Sequence, residues 1–158
     1  MRKIDHIPTV QEAYTKYSAL CARQECCRQD LADKMFRKGM SSEAVAEVIQ
    51  QLQAEGFVDD ERFCRAYIHD KFYFSRWGRI RLRMELRNRK IGDDIIARCL
   101  QDIDEDEYKE LLWGLLSDYA RTVTAKSDFE RQCKIVRFAS QRGFEQSLAI
   151  PIAESLTD

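Results

Sequence analysis

The chain has 158 residues, 44% hydrophobic and 34% charged, with a formal net charge of −1 at pH 7. That balance is too apolar for a disordered tail and too charged for a membrane protein, and the length fits one compact domain or a short array of small repeats. No run approaches the roughly 20 apolar residues of a membrane span, and Met1-Arg2-Lys3-Ile4-Asp5-His6 lacks the apolar stretch of a secretory signal, so the expectation is a soluble, cytoplasmic protein.

Only two prolines occur, Pro8 and Pro151, which leaves positions 9–150 free of the residue that most effectively breaks a helix. Ala, Leu, Glu, Lys, Arg and Gln dominate and no period-two alternation is sustained, so the fold class is all-α. The spacing predicts a first helix over about Thr9 to Ala22, capped by Thr9, with Val10, Ala13, Tyr14, Tyr17 and Leu20 on one face. A second runs from about Cys26 to Lys38 and presents Leu31, Met35 and Phe36, with basic residues before Gly39. Ser41-Ser42 cap a third, whose stripe is Ala44, Val45, Val48, Ile49 and Leu52 and which ends at Glu55-Gly56. A fourth opens on Asp59-Asp60-Glu61, carboxylates that the helix dipole favours in a first turn, and continues through Phe63, Tyr67 and Ile68.

An internal repeat organises the rest. Phe36-Arg37-Lys38-Gly39-Met40 recurs loosely as Arg87-Asn88-Arg89-Lys90-Ile91 and as Ser140-Gln141-Arg142-Gly143-Phe144, at spacings of 51 and 53 residues. Val58-Asp59-Asp60-Glu61-Arg62-Phe63 returns as Ile103-Asp104-Glu105-Asp106-Glu107-Tyr108. These units imply an elongated array of tandem three-helix repeats. The division is an N-terminal helix over 1–25, repeats over 26–74 and 75–122, and a partial, truncated third repeat over 123–158.

Gly56-Phe57-Val58-Asp59-Asp60-Glu61-Arg62-Phe63, followed by Gly78-Arg79-Ile80-Arg81-Leu82-Arg83-Met84-Glu85-Leu86 and Lys90-Ile91, resembles the RecX regulators of the bacterial recombinase RecA. The resemblance runs from about Ala19 to Ile152. It implies a stack of three-helix repeats that binds the RecA filament along its groove, with single-stranded DNA a further possible partner inside the filament. Inhibition of ATP hydrolysis and strand exchange in recombination and DNA repair follows from the same resemblance.

Charge is segregated despite the neutral total. Residues 71–90 hold eight basic side chains against one acidic, Glu85, whereas residues 93–110 hold eight acidic against two basic, Arg98 and Lys109. At about 100° per residue, Arg76, Arg79, Arg83, Arg87 and Lys90 fall within an arc of roughly 80° on one helix face. Ile80, Met84, Trp77 and Ile91 form an apolar arc beside it, with Leu82 and Leu86 on the opposite flank, as if the helix were gripped from two sides. A charge run of this kind is either a solvated face or a contact surface. Arginine's planar fork suits phosphate and carboxylate, and with the resemblance it assigns Arg76, Arg79, Arg83, Arg87, Arg89 and Lys90 as candidate partner- or DNA-binding residues. Arg79, Arg83 and Arg87 are expected to be solvated in the free protein.

Phe72, Tyr73, Phe74 and Trp77 precede the stripe and read either as core or as stacking platforms for bases. The acidic run at Asp104 to Glu107 and the Asp59-Asp60 turn read as helix starts rather than metal sites. The six cysteines include no C-x-x-C pair and read as reduced, mostly core thiols, with Cys64 and Cys99 as the two near arginines. His6 and His69 stand far apart. No phosphate-cradling loop, nucleophile–base pattern or metal-ligand pair appears, so neither an enzyme nor a metal or cofactor is expected. The expected oligomeric state is monomeric. The alternatives are a DNA-binding helical module without recombinase specificity and a helical protein scaffold.

Overall fold

The structure, a computed structural model, describes residues 6–157. Met1–Asp5, on which the expectation about an export signal partly rests, lies outside the described residues. Among the described residues there are nine helices and no strand: α1 (Val10–Arg23), α2 (Arg28–Arg37), α3 (Ser42–Ala54), α4 (Asp60–Tyr73), α5 (Arg79–Asn88), α6 (Asp93–Gln101), α7 (Glu105–Thr122), α8 (Asp128–Gln141) and α9 (Gln146–Ser155).

Local chemistry sets most of these boundaries. Thr9 and Glu12 form a reciprocal capping box at the start of α1, and Ser41 and Ser127 accept the Ala44 and Glu130 amides at 3.2 and 3.1 Å. The acidic turns are caps: Asp59 accepts the Arg62 amide and Asp104 the Glu107 amide, each at 3.0 Å. Cys27, the residue before α2, makes no side-chain cap bond. The Asp60 carboxylate supplies the missing acceptor, taking the Arg28 amide at 3.0 Å and its Nε at 3.1 Å. Burial meanwhile pushes the Cys27 thiol up to about 12.

The loose repeat is a repeated helix end. Gly39, Lys90 and Gly143 all have left-handed backbones, with φ of 89°, 55° and 90°, and each is followed by a buried apolar residue, Met40, Ile91 or Phe144. In two of them the bond that closes such a terminus is present, Met40 N–H to Met35 at 3.2 Å and Phe144 N–H to Ala139 at 3.0 Å.

The chain divides into two compact units. The first comprises Met1–Ala66 with Arg89–Ile91. In it α1 and α2 both pack on α3, around Ala13, Tyr17, Leu31, Met35, Val45, Val48 and Leu52. Arg62 holds the turn between α3 and α4, donating to the Gly56 and Phe57 carbonyls at 3.0 and 3.3 Å and to Glu25 at 2.7 Å. The second unit comprises Tyr67–Asn88 and Gly92–Asp158. Here α7, α8 and α9 pack on one another and α5 packs on α6. The packed trio of α7, α8 and α9 begins at the acidic cap of α7, upstream of the residue 123 at which the sequence division opens its last repeat. Pro151 lies inside α9, which continues through it to Ser155.

Candidate functional site

The site begins with how α5 starts. Gly78 N–H donates to the Arg142 carbonyl at 2.8 Å and Ile80 N–H to the Gly143 carbonyl at 3.0 Å, so the first turn of α5 is sewn to the turn after α8. The approach is close enough to require two glycines. A Cβ on Gly78 would lie 2.4 Å from the Gly143 oxygen, and one on Gly143 would lie 2.3 Å from the Arg81 Cβ. Arg142 reinforces the junction by donating to the Ser75 carbonyl at 2.9 Å.

Arg79 belongs to this junction and not to the solvent. Its backbone N–H donates to the Tyr108 hydroxyl at 3.1 Å, which in turn donates to Glu145. Its guanidinium lies 3.8 Å from the centre of the Tyr108 ring, donates to Glu145 at 3.2 Å and to Glu105, and is only 21% exposed. Burial pulls the guanidinium down, but the Glu105 hydrogen bond and the surrounding negative groups outweigh it, and the net shift is upward. Burial and then the bond to Glu145 push the Tyr108 hydroxyl up. Phe72 and Phe144 flank the Tyr108 ring at 5.8 and 5.2 Å. The expectation that Arg79 is solvated is therefore corrected: its four-residue spacing from Arg83 disguises a position beside the core.

The single helical arc is corrected as well. Of the five residues placed on it, only Arg79, Arg83 and Arg87 lie on α5. Arg76 precedes the helix in a left-handed conformation and pairs with Asp118 at 3.4 Å. Arg89 and Lys90 follow it in the turn, Arg89 bonded to Asp30 at 3.3 Å in the first unit. The break at Gly78 and the left-handed Lys90 end the helical rotation on which the arc depended. Arg87 forms an exposed pair with Asp93 at 2.8 Å. Arg83 and Lys90 make no ion pair among the described residues.

One side of α5, not two, is gripped. Leu82 and Leu86 are buried, whereas Ile80 and Met84 are 51% and 54% exposed. Ile80, Arg83, Met84 and Arg87 recur at helical steps of three, one and three, so the outward face interleaves two apolar side chains with two arginines. Beside Arg83 and Arg79, a groove of about 540 Å³ runs along Ala97, Leu100, Gln101 and Asp104.

The aromatics before α5 differ in burial. Phe72 is buried, Phe74 is 79% exposed, and Tyr73 donates to Glu107 at 2.7 Å. Trp77 is half-buried, with Arg81 4.0 Å and Lys71 5.1 Å from its ring centre. Sequence reasoning counted Lys71 and Arg81 as charges without seeing that both converge on this indole; the signal was their spacing of six and four residues about Trp77. All six cysteines are free, with Cys64 and Cys99 buried. No helix among the described residues is long and apolar enough to cross a membrane.

Fold and sequence together define an all-α tandem-repeat protein. The family described as "RecX, second three-helix domain" matches residues 59–100, which span α4 to α6 and cross the boundary that the sequence reading set between 74 and 75. A relative named "Regulatory protein RecX" from Mycobacterium sp. (strain KMS) is 26% identical over 146 residues, covering 90% of this chain and 80% of the relative. Another, from Halorhodospira halophila, is 33% identical over 87 residues, covering 55% of this chain and 53% of the relative. The crystal structure of RecX from Lactobacillus salivarius shares the fold, with a TM-score of 0.79 at 19% identity over 93% of this chain and 96% of that one. The chain is thus similar to RecX regulatory proteins, in its α4–α6 segment by the family's second three-helix domain and over most of its length by the relatives.

Proposed function

We propose that this protein binds the RecA recombinase filament and restrains its ATPase and strand exchange in recombination and DNA repair, acting in the cytoplasm by contact and not by catalysis. Similarity to proteins named as RecX regulators supports the regulatory role. The observation that carries the proposed surface is the outward face of α5, where Ile80 and Met84 stand half exposed beside Arg83 and Arg87. Half-exposed apolar side chains set beside arginines suit a protein surface bearing carboxylates or a filament's bound phosphates. Within the proposed set Arg83 and Arg87 make the contact and Arg79 positions the helix, while Arg76, Arg89 and Lys90 stand as further candidate contact residues on the chain before and after α5.

The test is recombinase ATPase on single-stranded DNA with sub-stoichiometric amounts of this protein. Replacing Arg83 and Arg87 with Glu should weaken filament binding by about 3 kcal/mol or more, since each charge-assisted contact contributes about 1.5–3 kcal/mol. Inhibition unchanged in that variant would overturn the assignment of the face.

A second reading, direct contact with free DNA, draws on Lys71 and Arg81 beside Trp77, cations with no carboxylate partner among the described residues. A steep salt dependence of binding to naked DNA, reduced by Arg81→Ala, would favour it.

A further inference from the structure

On their outer side α8 and α9 leave an apolar groove of about 450 Å³. Phe129, Cys133 and Val136 line it from α8, at helical steps of four and three, and Ile150 lines it from α9. Phe129 is 76% exposed, Ile150 is 44% exposed, and the Cys133 thiol is open to solvent. These side chains are separate from Ile135 and Ala139, through which α8 joins its own core. An apolar strip left in water on a highly charged chain marks a surface that gains free energy when covered.

Its lips decide what covers it. Arg137 stands on the α8 side and Glu154 on the α9 side; both are exposed, and neither side chain has an ion pair or hydrogen bond among the described residues. A polyanion or a basic peptide laid in the groove would meet one matched lip and one opposed lip. A second copy of the same surface, turned by a two-fold axis that runs along the groove, presents the two charges in reverse order. Each Arg137 then faces Glu154 of the partner subunit, and the apolar strips cover each other. We propose that this groove is the docking surface for a second copy of the chain, forming a two-fold dimer in place of the single chain expected from the sequence. The dimer is independent of the α5 reading, because none of its residues lies on that helix.

Sedimentation equilibrium of the full-length protein across the micromolar range tests it. The mass should rise with concentration from the 18.6 kDa of one chain towards twice that value. Phe129→Glu and Ile150→Glu should hold it at one chain, with circular dichroism showing that both variants keep their helix content. Arg137→Glu and Glu154→Arg should each weaken association several-fold, and the two reversals combined should restore it, because the pair is rebuilt across the axis. A short bis-maleimide should link two chains through Cys133 in the parent and not in Cys133→Ser. A single-chain mass at every concentration, a dimer indifferent to Phe129→Glu, or a double reversal no better than its parts would overturn the proposal.

Discussion

The two ends of the α5 arginine row behave as different materials. At one end Arg79 is largely covered, stacked on Tyr108 and bonded to Glu105 and Glu145; at the other Arg87 holds a single exposed pair with Asp93. They share a residue type, a helix and a four-residue rhythm. Each step of four residues advances about 40° around a helix of 3.6 residues per turn, so a row that begins beside Leu82 and Leu86 turns onto the open face within two steps. A basic stripe is thus no unit of function: part holds the fold, and part is left for a partner.

The largest effect should come where the buried end meets its neighbour. Gly143→Ala forces a Cβ to 2.3 Å from Arg81 at a backbone angle of +90°, so unfolding by denaturant should show a loss of about 3 kcal/mol or more. A variant as stable as the parent would break the claim that α5 is sewn to the turn after α8.

Arg79→Met comes next. It leaves Glu105 and Glu145 without their shared cation, and a loss of about 1.5–3 kcal/mol is expected from the charge-assisted bonds removed. Tyr108→Phe should cost about 1–2 kcal/mol, because the Arg79 amide then loses its acceptor. Nearly additive losses in the double variant would argue against a connected network; coupling would sharpen it.

Lys90→Gly tests the opposite sign. Lys90 stands in the left-handed position that glycine fills at residues 39 and 143, so the substitution should raise stability by about 0.5–1 kcal/mol, read as a higher thermal midpoint. Smallest of all, Arg83→Glu with Arg87→Glu should change stability by less than about 0.5 kcal/mol, since the two side chains lean on little else. If that pair destabilised as much as Arg79→Met, the contrast between the two ends would be lost.

Helices were legible in the sequence because their signals are local. Thr9, Ser41, Asp59 and Asp104 cap the amides a few residues along, and the lack of proline over 9–150 left the backbone free to continue. The repeat was legible for the same reason: a left-handed position followed by an apolar anchor is written in five consecutive residues, as Gly39-Met40 and Gly143-Phe144 show. Even the capless start of α2 could be suspected from Cys26-Cys27, though not its rescue by Asp60, 32 residues away in the chain.

What the sequence by itself determined is the run of helices, their ends and the family motif, all properties set within one or two turns of chain. What only the tertiary structure decided is which side of each helix is covered. Periodicity shows that Ile80, Met84, Leu82 and Leu86 are apolar, but exposure depends on whether another element lies against them; here Leu82 and Leu86 are buried and Ile80 and Met84 are not. The same holds for Arg79, whose charge is legible from one letter while its partners Tyr108 and Glu145 lie 29 and 66 residues further along, brought to it by a glycine-on-glycine approach that no local pattern encodes.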